Sequence, residues 1–221
     1  MQVFFKEIIA GDIEAVERRL AKTPAAVDLV ATPPPQRYAG QSPLQVAYQH
    51  GEFDIAALLL RHDANPNFIE NTETDTFVQP VLHHAITTAV MSSRWLAPTR
   101  YERGEDRGWR SRNTAEQAEA AFEALQLLLD SGADVHAHDS SDNSSIGRAA
   151  LDARQILPTH SYNDPEWVDP KPLNSELVAD LTRIFNALIE RGADLDEVDP
   201  KVGKSVREFY RAEHVAKFLN P

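Results

Sequence analysis

The 221-residue sequence has no cysteine, which excludes disulfides, thiolate metal sites and a cysteine nucleophile and is compatible with any redox compartment. It has no long apolar run either. The N-terminal stretch from Val3 to Ala10 is interrupted by Lys6 and Glu7 and has no basic segment before it. Neither a signal peptide nor a membrane span is therefore expected, and the expected location is cytoplasmic. Positive charge is scarce, with 22 Lys and Arg against 34 Asp and Glu and a net charge of −12. Such a field repels nucleic acid backbones and speeds encounter with cationic partners.

Signatures of catalysis are also missing. There is no G-x-S-x-G elbow, H-E-x-x-H pair or G-x-G-x-x-G turn, so no catalytic residue and no cofactor is expected. Gly203-Lys204-Ser205 looks like the end of a phosphate-binding loop, but Val198 stands where that loop needs its first glycine. His136-Ala137-His138-Asp139 puts alternate side chains on one side of an extended segment. It lacks the third or fourth ligand of a zinc site, and no metal is expected. What remains is a composition of 42% hydrophobic and 25% charged residues, that of a globular protein.

The stretch Gly40 to Asn67 shows how the chain is organised. Ser42-Pro43-Leu44 opens a short helix, Gly51 breaks it, and Ile55, Leu58 and Leu59 line one face of a second helix that ends in Asp63-Ala64-Asn65-Pro66-Asn67. This helix–turn–helix resembles an ankyrin repeat, a unit with a T-P-L-H-x-A opening and a period of about 33 residues. Ser42 to Ala47 stands where that opening stands. Gly132-Ala133-Asp134 and Gly192-Ala193-Asp194 are similar to the family's closing Gly-Ala-Asp. The resemblance implies an all-α solenoid of antiparallel helix pairs with finger loops, and a binding scaffold without shared chemistry.

On that reading the chain is a single ankyrin-repeat domain, with units at about 1–39, 40–78, 79–141, 142–199 and a shortened terminal cap at 200–221. Ala64 and Ala133 are 69 residues apart and Ala133 and Ala193 are 60 apart, nearly twice the period of about 33. Two insertions, 87–113 and 152–174, are therefore expected between inner and outer helices, emerging on the same edge of the stack. Asn113 and Glu116 are read as a capping box for the outer helix that follows the first insertion, and Asn174 or Ser175 as the cap of the next. The prolines Pro33 to Pro35 predict an extended loop that carries Tyr38 on the finger edge. In the cap, Phe209 and Tyr210 are read as packing residues.

Candidate partner contacts fall into two sets. Within the first insertion, Arg94 to Arg112 holds six arginines against three acids, interleaved with aromatics of the kinds enriched at binding hot spots. Arg94, Trp95, Tyr101, Arg103 and Trp109 are the candidates there, with the anchoring of the loop to the scaffold as the alternative role. The second set lies on fingers and inner helices: Tyr48, Glu70, Glu73, Asp75 and His84 in the first half, then Asp139, Asp142, Arg148, Glu166 and Trp167. His83, by contrast, stands at the motif histidine, for which the resemblance implies a structural role between repeats.

The function expected is protein–protein recognition. The resemblance, to irregular bacterial ankyrin-repeat proteins that include immunity proteins, implies first an acidic inhibitor or immunity protein that neutralises a basic partner such as a toxin or nuclease, whose basic surface an acidic chain suits. An adaptor or secreted effector bridging two proteins is the alternative, and a small-molecule enzyme would need a deep pocket. A monomer is favoured.

Overall fold

The computed structural model describes residues 2–70, 77–99, 108–159 and 171–220. Four antiparallel helix pairs follow one another: α1 (Val3–Ile9) with α2 (Ile13–Lys22), α3 (Pro43–His50) with α4 (Phe53–Arg61), α5 (Val81–Met91) with α6 (Ala115–Asp130), and α7 (Ser145–Ile156) with α8 (Ser175–Glu190). Two short hairpins, β1 (Leu96–Pro98) with β2 (Trp109–Ser111) and β3 (Val198–Asp199) with β4 (Lys204–Ser205), accompany them. The chain closes on the four-residue helix α9 (Val206–Phe209) and a 3₁₀ turn, His214–Phe218. The first helices of the pairs contact one another in a row, α1 on α3 on α5 on α7, and the second helices do the same. This is the solenoid of helix pairs that the sequence leads one to expect.

Local chemistry sets the helix ends. Ser42 accepts from the Gln45 backbone N–H while the Gln45 side chain returns a bond to Ser42, a complete capping box. Gly51 then ends α3 at φ 72°, a left-handed geometry that residues with a Cβ adopt only at a cost. The same geometry recurs after α4, where Asp63 has φ 63° in the place that glycine fills after α6 and α8. Aspartate is among the few side-chain-bearing residues that tolerate it.

Two boundaries fall later than the sequence suggests. Helix α5 runs on to Met91 because Ala89 and Val90 continue its buried stripe, and α7 reaches Ile156 because Ala153 and Ile156 do the same. The cap of α6 is also displaced by one residue, with Thr114 and Gln117 forming the capping box. Asn113 serves elsewhere: its Nδ2 donates to Met91 O and Ser93 O, both at 2.8 Å, and so satisfies carbonyls at the end of α5. Asn174 caps α8.

One continuous apolar core joins the pairs, from Phe4 and Phe5 through Leu44, Leu82 and Leu125 to Phe185 and Leu219. Tyr38 belongs to it and not to a finger edge. Its ring is 2% exposed and its hydroxyl lies 2.8 Å from His50 Nε2. The proline run ends in a 3₁₀ turn, Gln36–Tyr38, that folds the ring inward. No described helix is long and apolar enough to cross a membrane.

Candidate partner-binding surface

Fingers and insertions leave the inner helices at opposite ends. The segment ending at Pro80 leads into the start of α5, and the first insertion leaves from its end at Met91. Eleven residues of α-helix separate the two, about 16 Å of axis.

At the finger end, most of the expected contact residues are engaged inside the protein. The Glu70 carboxylate accepts from Gln41 Nε2 at 2.9 Å and the Gln79 backbone at 3.1 Å, and sits 3.1 Å from His84 Nε2. His84 is 5% exposed and faces neighbouring loops, not open solvent. Tyr48, in the last turn of α3 and so away from the fingers, is 1% exposed, and its hydroxyl donates to Ala124 O at 2.9 Å, tying α3 to the outer helix α6. Burial raises the Tyr48 phenol pKa.

Asp139 is the hub of a second buried layer. It accepts from the backbone N–H groups of Ser141 and Asn143, from Asn143 Nδ2 and from the Arg148 guanidinium at 2.6 Å. Burial alone would raise its pKa, but the neighbouring His83, Asn143 and Arg148 outweigh that and hold the carboxyl well below its ordinary range. Arg148 also approaches Asp152 at 3.7 Å and lies 5.5 Å from the Phe77 ring. His83 is fully buried with Nδ1 3.7 Å from Asp139, and burial lowers its pKa. It sits where the loop carrying Asp139 meets α5, between successive units. Asp142 is different: it is half-exposed, in the left-handed region at φ 66°, and its partner Lys201 is exposed too.

At the insertion end the same pattern holds. Arg94 grips Asp180 through Nε at 2.9 Å, Nη2 at 2.8 Å and its own backbone N–H at 3.0 Å. Asp180 is 2% exposed. Although burial opposes it, this bonding lowers the carboxyl pKa. Trp95 is half-buried and donates to Met91 O, with Lys171 Nζ 5.8 Å from its ring. Asn174 Nδ2 donates to Arg94 O at 2.9 Å. The described ends of both insertions are thus fastened side by side. Trp109 is half-buried on β2, and Arg110 and Arg112 beside it are exposed. Glu73, Asp75, Tyr101, Arg103, Glu166 and Trp167 lie outside the described residues.

One surface had no part in the sequence-based reading. Between α7 and the short terminal unit lies a cleft of about 470 Å³. Its apolar wall comprises Leu151, Val198, Val202, Val206 and Phe209, and the acids Asp142, Glu197 and Asp199 line it together with the bases Arg154 and Lys204. Val198, Val202 and Phe209 are 56%, 47% and 47% exposed. Phe209, expected to pack, instead faces this opening.

The described residues contain no group of three or more metal-ligating side chains. In the His136-Ala137-His138-Asp139 stretch, His138 Nε2 is 3.2 Å from Glu197 Oε1, and Asp139 is the buried hub.

Residues 39–71 match the ankyrin repeat family. That span covers α3 and α4, the most regular pair. No curated protein matches the chain.

Proposed function

We propose that this chain, a repeat scaffold of the kind that mediates protein–protein interactions, binds and neutralises a basic protein, with a cationic toxin or nuclease as the type of partner. The observation that carries the proposal is the net charge of −12 on an extended stack of helix pairs, a shape suited to recognising another protein's surface. At the finger end Asp142, Glu197 and Asp199 edge an open cleft, where their field would steer a positively charged surface.

Affinity capture from the native source, repeated at rising salt, tests this. A captured protein with a basic surface, released as salt screens the attraction, is the expected result. Capture of an acidic protein, insensitive to salt, would refute it. If the captured protein is a toxin, its activity should fall in proportion to the added chain.

A second reading, an adaptor bridging two proteins, draws on the exposed Arg110 and Arg112 beside Trp109. They present positive charge at the end of the inner helices away from the fingers. Two proteins captured together, one lost on Arg110→Glu with Arg112→Glu and the other retained, would favour it over simple inhibition.

A further inference from the structure

The fifth unit opens on a short helix. Helix α9 has four residues where the earlier inner helices have seven to twelve. Leu151 on α7 consequently lines an opening and not a packed interface. Among the described residues nine large apolar side chains are exposed, and three of them, Val198, Val202 and Phe209, lie in this one cleft. Singly exposed apolar residues need no explanation, but a gathered set rimmed by polar groups marks a binding groove.

The rim decides what fits. Three acids, Asp142, Glu197 and Asp199, line the cleft against two bases, Lys204 and Arg154, and His138 Nε2 lies 3.2 Å from Glu197. Arg154 on the α7 wall is held by Glu213 at 2.7 Å, so its charge is already balanced. Lys201 lies 2.8 Å from Asp142, but both side chains are about half exposed, and an exposed pair of this kind is weakly held. An incoming ammonium group can replace it. A second copy of the chain is a poor occupant, because two molecules of net charge −12 repel each other.

We infer that the cleft between α7 and α9 docks an extended basic peptide segment of the partner, which seats an aliphatic or aromatic side chain against Phe209, Val202 and Leu151 and sets flanking lysines or arginines on Asp142 and Glu197. The inference rests on the reading of a basic partner and names where on the chain that partner is gripped. The volume of about 470 Å³ lies within the range of ligand pockets and leaves room for more than one side chain.

The test uses the intact chain and three synthetic heptapeptides in titration calorimetry. The first alternates lysine with leucine and phenylalanine, the second replaces the apolar residues by serine, and the third replaces the lysines by glutamate. Only the first should bind well, with each control weaker by about tenfold or more. Val202→Ser with Phe209→Ser should weaken the first peptide by about tenfold, and Asp142→Asn with Glu197→Gln should weaken it and flatten its salt dependence. All four side chains are at least part-exposed, and an unchanged melting curve verifies that the variants fold. Equal binding of the serine peptide, or indifference to the Val202 and Phe209 changes, overturns the proposal. So does a Phe209-dependent dimer in sedimentation equilibrium, since the occupant is then a second copy. If the chain captures a basic protein whose binding ignores Val202 and Phe209, this inference fails while the wider reading stands. If the cleft binds the lysine peptide but the native partner is acidic, the wider reading fails instead.

Discussion

The two ends of the inner helices differ in how they use their side chains. At the insertion end, residue types associated with binding hot spots are consumed in fastening: Arg94 on Asp180, Trp95 on Met91 and Lys171, Asn174 on the backbone of Arg94. At the finger end, ordinary valines and a phenylalanine around the short helix α9 lie open beside acids. Arginine and tryptophan suit anchoring and recognition for the same reason, since both offer large contact area with fixed donor geometry. What separates the roles is whether a partner inside the chain already occupies them.

The largest effect expected from breaking this contrast is at Arg94. Arg94→Ala removes the bidentate partner of the buried Asp180 carboxylate, which keeps Arg183 at 3.5 Å, and should destabilise the fold by about 2–3 kcal/mol. In a chain of this size that is a loss of roughly 10 °C in melting temperature. A change below about 1 kcal/mol in denaturant titration would mean that Arg94 is free to serve a partner.

Acid should loosen the finger end next. Burial lowers the His83 pKa, so the unfolded chain takes up the proton first, and stability falls as pH drops below the ordinary histidine value. Asp139 is held below the usual carboxylate range, so its contribution is present at neutral pH and is lost as acid approaches and passes that range. Asp152 is raised by burial and works in the opposite sense. Amide protection, taken relative to the intrinsic exchange rate at each pH, should therefore fall between pH 7 and 5 across 139–147 more than around Asn174 to Asp180. An equal loss of protection at both ends would remove the contrast.

Tyr48→Phe extends the lesson to an expected contact residue that proves to be internal. Loss of the hydroxyl bond leaves Ala124 O buried without that donor and should cost about 1–2 kcal/mol, with no change in partner affinity. Weaker capture by a variant of unaltered stability would return Tyr48 to the binding surface. Smallest in stability is Phe209→Ser, expected within about 0.5 kcal/mol because the ring is half out in solvent. Its readout is partner affinity, which should fall where that of Tyr48→Phe does not.

Much of the architecture was legible because it is local. The Ser42 box, the break at Gly51 and the apolar spacing of Ile55, Leu58 and Leu59 depend on neighbours within one or two turns. The cap of α6 was misplaced by one residue because Asn113 was drawn to carbonyls some twenty positions earlier. Tyr38 leaves the finger edge for a similar reason, its loop being folded back onto His50. Of the surface, the excess of negative charge could be read from the chain, whereas the state of each candidate side chain could not. Glu70 and Arg94 are bound by residues from other elements, Gln41 and Asp180, and sequence distance does not report such meetings.

The sequence by itself determined the repeating helix pair, its period, its interruptions and the excess of negative charge, all of which follow from short-range periodicity and composition. Only the tertiary structure decided which charges are spent internally and which apolar groups stay open. Burial and pairing are set by elements tens of residues apart, here Arg94 with Asp180 and α7 with the few residues of α9 that leave it uncovered.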